Sequence, residues 1–321
     1  MLIGAHVSPA GGLPRAIERG TERSCSAIQI FNQSPRMWRA RDYAEDDVLA
    51  FREAMAASPI RAVLIHAVYL LNCASDDAEM RSKSLASLVH SLRAGDRIGA
   101  HGVILHPGSA KAGDVTSAIA RCGETVREAL ARSERCSLHL ENTAGAGGTL
   151  GRSVDELALL LDAAGAGKRL GICLDSCHLF ASGYDIRRPA GMDAALAQIR
   201  TKIGLERVRS LHLNDALVAL GSNRDRHANI GHGELGERGC ASFLSAPALQ
   251  GLPCVLETPG VKRSGASREE VELAKRLHKR GLAARKRAKS ASAARRGGAR
   301  RGGAGRGGAG RGGAGRGGER R

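Results

Sequence analysis

The chain has 321 residues, 49 Lys plus Arg against 32 Asp plus Glu for a formal charge of +17, 42 glycines, and only one Trp, three Tyr and four Phe. Its length allows one large domain or two ordinary ones, and 42% hydrophobic residues supply ample core, which excludes a small disulfide-stapled fold. Eight cysteines without a CxxC pair favour a reducing cytoplasm, the N-terminus lacks the pattern of a secretory leader, and no 18-residue apolar run offers a membrane span.

In chain order, short apolar runs at 2–6, 27–31, 62–66, 102–106, 137–141, 170–175, 210–213 and 254–257 read as strands. Between and after them, residues 44–57, 77–97, 115–132, 154–164, 194–203 and 268–280 have the length and Ala/Leu/Arg/Glu content of helices. Strand alternating with helix eight times predicts an α/β fold, a (β/α)8 TIM barrel, over residues 1–280. The charge belongs elsewhere. From Lys275 onward stand 17 Lys and Arg against the single acid Glu319, whereas the first 274 residues hold 32 basic and 31 acidic groups. From Arg295 the chain repeats Gly, Arg and Ala with no larger apolar side chain, and residues 281–321 are expected to form a disordered Lys/Arg/Gly-rich tail.

The chemistry-bearing residues gather at strand ends. His66, His106, Glu141, Asp175, His212 and Glu257 each lie at the C-terminal end, or final position, of a different predicted strand, and in a barrel those ends converge on one face. A lone His or Glu there is ordinarily a satisfied polar group, but six in one chain point to a shared site. His178 follows Asp175 by three residues, a spacing that puts both on one side of a helical turn, and Asp225 and His227 share a side in extended chain. Five imidazoles and four carboxylates suit Zn²⁺, with Mn²⁺ or Fe²⁺ as alternatives, and they suffice for two or three ions once a carboxylate bridges a pair.

The motifs GAHVSPAGGL (4–13), HPGS (106–109), LENTAGAGGTLG (140–151), GICLDSCHLFASGYD (171–185), HLNDA (212–216), GSNRDRHANIGHGELG (221–236) and LET (256–258) resemble those of endonuclease IV, the second family of apurinic/apyrimidinic (AP) endonucleases, with its xylose-isomerase-like barrel. The resemblance runs to about Lys279 and omits the tail. It implies three Zn²⁺ ions: one on His66, His106 and Glu141, a second on the bridging Glu141 with Asp175, His212 and Glu257, and a third on His178, Asp225 and His227. It implies hydrolysis of the phosphodiester 5′ to an abasic site in base excision repair. Glu141 and Glu257 would be catalytic, with Glu257 orienting or deprotonating the attacking water, and the third ion stabilising the departing 3′-oxygen. The products would be a 3′-hydroxyl and a 5′ deoxyribose phosphate.

SPRMWRA (34–40) and HAVYLLN (66–72) are similar to the family's DNA-penetrating loops, which assigns Arg36, Tyr69 and Leu70 to a wedge in abasic double-stranded DNA, with Trp38 beneath it. Ala67 and Val68 stand where some members carry more polar residues. Among the other histidines, 90, 101, 139, 232 and 278 are expected to be structural or superficial, and His6 to reach the mouth as a donor behind the ligands. The family suggests a monomer, in the cytoplasm and without a membrane partner. The Arg/Gly tail is expected to bind nucleic-acid backbone non-specifically. A metal-dependent sugar isomerase or epimerase of the same superfamily would explain the mouth but neither nine ligands nor the two loops. A non-catalytic nucleic-acid-binding protein would leave the full ligand set without a purpose.

Overall fold

The computed structural model describes residues 1–302 except Arg36, Arg39 and Arg41, with side chains as far as residue 291. In chain order the elements are β1 (Leu2–His6), α1 (Pro14–Glu22), β2 (Ala27–Phe31), α2 (Glu45–Ala56), β3 (Ala62–His66), α3 (Ala78–Ile98), β4 (Gly102–Leu105), α4 (Val115–Ala131), β5 (Leu138–Glu141), α5 (Val154–Ala163), β6 (Leu170–Asp175), α6 (Ser176–Ala181), α7 (Pro189–Lys202), β7 (Val208–Leu213), β8 (Asp215–Ala216), β9 (His227–Ala228), α8 (Gly236–Leu244), β10 (Pro253–Leu256) and α9 (Arg268–Gly302). Eight parallel strands close in the order β1-β10-β7-β6-β5-β4-β3-β2, as the alternation predicts. The short antiparallel pair β8 and β9 stands apart from the barrel. No helix among the described residues is long and apolar enough to cross a membrane.

The strands are buried almost throughout, which is why they read as continuous apolar runs. Period two nevertheless separates their faces. One set of side chains packs outward with the helices into the main core. A second, smaller cluster of Ala27, Ala62, Leu64, Ile104, Cys173 and Val255 fills the barrel interior. Leu64, Ile104, Cys173 and Val255 lie two residues before His66, His106, Asp175 and Glu257, so the polar residues form the layer directly above an apolar plug. Gly4 permits the closure of β1 on β2, because a Cβ there would fall 1.6 Å from the Ala27 carbonyl oxygen.

Helix α9 runs from Arg268 to Gly302. The stretch GLAARKRAKSASAA is made largely of Ala, Lys, Arg and Leu, strong helix formers that can extend a helix already nucleated at Arg268. The barrel unit spans residues 1–281, and the last repeats, 303–321, lie outside the described residues.

One interior position of β5 carries a polar group. His139 is 1% exposed, with Nδ1 2.9 Å from Ser210 Oγ and Nε2 2.9 Å from Ser137 Oγ. Its ring fits because residue 102 has no side chain; a Cβ on Gly102 would approach the ring to 2.4 Å. Burial pushes the His139 imidazole down to about 3. The unfolded chain therefore takes up a proton near pH 6.5 that the folded chain refuses, and this contribution to stability is lost as pH falls through that range. Urea unfolding between pH 7 and 5 is expected to show stability falling by up to ~1.4 kcal/mol per pH unit from this group, with a shallower dependence in His139→Asn.

Candidate metal centre

His66, Glu141 and Asp175 end β3, β5 and β6, His106 and Glu257 follow β4 and β10, and His212 is the penultimate residue of β7. Asp175 also caps α6, its Oδ1 accepting from the His178 backbone N–H at 2.7 Å, which turns the chain helically and brings His178 over the mouth as its spacing predicts. Asp225 and His227 arrive on the loop that β8 and β9 close, with Ala216 paired to His227. That loop is organised by Asp215. Its buried carboxylate accepts from the N–H groups of Gly231 and Gly233 at 3.0 Å through Oδ2, and of Ala216 at 2.8 Å and Leu235 at 3.0 Å through Oδ1.

All nine predicted ligands come together, in three groups whose ligating atoms lie within 4.8 Å of one another: His66, His106 and Glu141; Glu141, Asp175, His212 and Glu257; His178, Asp225 and His227. Glu141 belongs to two of them. Its Oε2 lies 3.4 Å from His66 Nε2 and 3.0 Å from His106 Nε2, while Oε1 lies 3.0 Å from His212 Nδ1 and 3.2 Å from His178 Nδ1. In the third group His178 Nε2 and His227 Nε2 each stand 3.2 Å from a different oxygen of Asp225. Two atoms bound to one Zn²⁺ at about 2.1 Å in a tetrahedron are ~3.4 Å apart, so the separations within each group suit shared ions.

Unused hydrogen-bonding capacity points the same way. Glu141 Oε2 and the Nε2 atoms of His66, His178 and His227 are buried yet make no hydrogen bond. The opposite nitrogens of those rings are engaged: His66 Nδ1 with the Ala67 carbonyl at 2.6 Å, His178 Nδ1 with Asn142 O at 2.9 Å, and His227 Nδ1 with Glu257 O at 3.4 Å. Each carbonyl can only accept, so Nδ1 donates, and in the neutral ring Nε2 keeps a lone pair directed into its group. The donor set therefore fits divalent cations.

Burial by itself would raise the Glu141 carboxyl, but His212 and His106 outweigh it and drive it well below the usual carboxylate range. Burial would likewise raise Glu257, and His212 with His66 holds it at about 2. His178 and His212 move the opposite way, burial being overcome at His178 by Asp175 and Asp225, and at His212 by groups that include Glu257 and Glu141. So dense an anionic layer needs compensating positive charge, as protons on the imidazoles or as bound cations. Cys177 also lies within reach of Asp175 and His227; burial pushes its thiol up and Sγ donates to the Arg226 carbonyl at 3.6 Å.

Several contributors escape a reading of motifs. Asn214 donates from Nδ2 to Asp175 Oδ2 at 2.6 Å and accepts from the Glu257 N–H at 3.0 Å; Asn142 accepts from the Asp175 N–H at 2.7 Å. Both directly follow a ligand or its strand, in HLND and LEN. Gln29 is enclosed among His6, His212 and Glu257. It is the lone polar residue of AIQIF, a signal present in the sequence. His6 reaches the ligands only through Gln29, its Nδ1 3.1 Å from the Gln29 amide nitrogen, so it does not donate directly to a ligand as expected. Burial lowers His6 to about 4.

Of the expected wedge, Tyr69 is 61% exposed, its ring centroid 5.3 Å from those of His66 and Phe31. Leu70 is partly buried against the core, as is Trp38, while Ala67 and Val68 are buried; Arg36 lies outside the described residues. Asn72 ties this loop to HPGS, accepting from the Ser109 N–H at 3.0 Å and donating to the Ser109 carbonyl at 3.1 Å. A Cβ on Gly108, whose φ is +108°, would strike Asn72 Oδ1 at 2.2 Å, so the join requires glycine. Beside Tyr69 and Glu257 opens a basin of about 1030 Å³ walled by Arg19, Arg23 and Arg263.

Because five backbone N–H groups converge on Asp215, counting Gly236 at 3.2 Å, replacing it removes a shared acceptor rather than one bond. Asp215→Ala is expected to lower stability by about 3 kcal/mol, read from a shifted urea midpoint with an unchanged slope.

Residues 20–277 match the family model AP_endonuc_2, described as a xylose isomerase-like TIM barrel. The chain is 41% identical over 261 residues to a probable endonuclease 4 of Methanoculleus marisnigri, covering 81% of this chain and 93% of that protein. It is 35% identical over 280 residues to a probable endonuclease 4 of Halothermothrix orenii, covering 87% and 100%. The crystal structure of endonuclease IV from Thermus thermophilus is 36% identical with a TM-score of 0.75, covering 88% of this chain and 99% of that one. A D-tagatose 3-epimerase-like protein, 17% identical with a TM-score of 0.64 over 87% of this chain and 97% of its own, shares the barrel fold. With four-fifths of its length matched to relatives at this identity, and with their barrel, the chain belongs to the endonuclease IV family.

Proposed function

We propose that the protein is a zinc-dependent AP endonuclease of DNA repair, hydrolysing the phosphodiester 5′ to an abasic site to leave a 3′-hydroxyl and a 5′ deoxyribose phosphate in base excision repair. The observation that carries this reading is the joining of three His/carboxylate groups through Glu141 at the barrel mouth of an endonuclease IV family member. His66, His106 and Glu141 would hold one Zn²⁺, Glu141, Asp175, His212 and Glu257 a second, and His178, Asp225 and His227 a third, with Mn²⁺ as a substitute. Bound there, the ions supply Lewis acidity that activates water at neutral pH and offsets charge on the phosphate.

The chain's own groups do the rest. Glu257 has Oε1 engaged by the Gln29 amide at 2.6 Å, which leaves Oε2 to orient the attacking water and take its proton. Held at about 2, the carboxylate is ionised at neutral pH, as a base must be. Glu141, enclosed by imidazoles, keeps the groups in register. An abasic site offers no base to read, so recognition falls to shape: Tyr69 projects from the rim, Leu70 braces it, and Arg36 completes the wedge as the extruded sugar enters the mouth. The arginine-walled basin suits the flanking phosphates. The low-identity likeness to epimerases extends to the barrel alone, and no observation at the site favours sugar isomerisation.

Glu257→Gln is expected to fold and retain its metals while losing nearly all cleavage of an oligonucleotide carrying one abasic site. Substantial activity in the metal-replete variant would overturn the role of Glu257. The tail is read as a nucleic-acid arm whose arginines add counterion release. Truncation after Gly281 is expected to weaken binding to undamaged DNA and to flatten its salt dependence, with cleavage at saturating abasic DNA unchanged. An unaltered salt slope would rule the arm out.

A further inference from the structure

We infer that Gln29 is a positioning residue that sets the ring state of His212 and aims the Glu257 carboxylate, committing the second ligand group to coordinate through His212 Nδ1. This rests on the metal-binding part of the reading above and not on the identity of the DNA substrate.

Three of the five imidazoles, those of His66, His178 and His227, are oriented by backbone carbonyls, which no substitution removes. His212 differs: its Nε2 lies 2.8 Å from Gln29 Oε1. An amide oxygen only accepts, so Nε2 carries a proton, and in the neutral ring that can bind a cation it is Nδ1 that keeps the lone pair. That Nδ1 lies 3.0 Å from Glu141 Oε1 and 3.3 Å from Glu257 Oε2, inside the second group. His212 thus presents the nitrogen opposite to the one presented by His66, His178 and His227.

The amide cannot be turned round. Its Nε2 donates to Glu257 Oε1 at 2.6 Å and faces His6 Nδ1 at 3.1 Å, so both N–H groups and the carbonyl are used. Flipped, the carbonyl oxygen would meet the ionised Glu257 carboxylate at 2.6 Å, replacing an attraction with a repulsion. Gln29 is fully buried in β2, two residues beyond the plug residue Ala27, and register-paired with His6 of β1. A Gln in that setting would be costly without partners; with them it occupies Glu257 Oε1 and leaves Oε2 for the site. Outer groups of this kind typically contribute about 10–100-fold in metal affinity or activity.

The test compares wild type with Gln29→Leu, which keeps the volume and removes the hydrogen bonds. Zn²⁺ content after dialysis against graded chelator, measured by elemental analysis, is expected to show one ion per chain lost at about 10–100-fold lower chelator concentration. Turnover of abasic DNA is expected to fall by a similar factor with KM changed far less, and added Zn²⁺ should restore part of it. In wild type, ¹⁵N chemical shifts of the imidazoles, with His212 assigned through His212→Gln, are expected to show protonated Nε2 and metal-bound Nδ1 at His212. Unchanged chelator resistance in Gln29→Leu, or an Nδ1–H form of His212 in wild type, would overturn the proposal. The metal and ¹⁵N readouts do not require AP-site cleavage, so they separate this proposal from the proposed reaction; should Gln29→Leu not fold, the wild-type spectrum decides.

Discussion

A carboxylate with no exposed surface is tolerable only beside positive charge, and Glu141 places this constraint at the centre of the molecule. Its two oxygens face four imidazoles at 3.0–3.4 Å, two on each side. Cations shared among these groups would satisfy the carboxylate, the lone pairs left by the fixed rings and the neighbouring acids at once, whereas hydrogen bonds inside the chain leave four of the buried atoms without partners. The arrangement is consequently a charged framework whose stability and chemistry are coupled.

The barrel can carry such a framework because its interior is layered. Below the ligands lies an apolar plug, so side-chain conformations in the polar layer are bounded from beneath by close packing. Above it, Asn142, Asn214 and Gln29 hold individual ligands, while Asp215 and Asn72 hold the loops that deliver the third group and the Tyr69 rim. Ligand geometry is therefore set at both levels, by strand register and by side-chain amides that bridge elements far apart in sequence.

Charge is just as localised. The first 274 residues are close to neutral, yet Arg19, Arg23 and Arg263 meet around one basin next to Glu257, arriving from the first helix, its exit and the loop after β10. A local concentration of this kind can bind phosphate without making the whole surface cationic. The large net charge resides in the C-terminal segment, with 17 Lys and Arg from Lys275 onward.

The alternation of apolar runs with helix-forming stretches was sufficient for the barrel, and strand ends pointed to six of the nine candidate ligands, because period two and the convergence of parallel strand ends are local rules applied eight times; His178, Asp225 and His227 were legible only from their spacing in DSCH and DRH. Gln29 was less legible: AIQIF contains a polar residue, but its partners are His6, His212 and Glu257, and only barrel closure brings β2 opposite β7 and β10. Sequence by itself determined the barrel and picked out the candidate residues gathered at one of its faces. Tertiary structure alone decided how they are grouped, which nitrogen each imidazole presents and which side chains orient them, because those depend on distances across a closed barrel that no local spacing encodes.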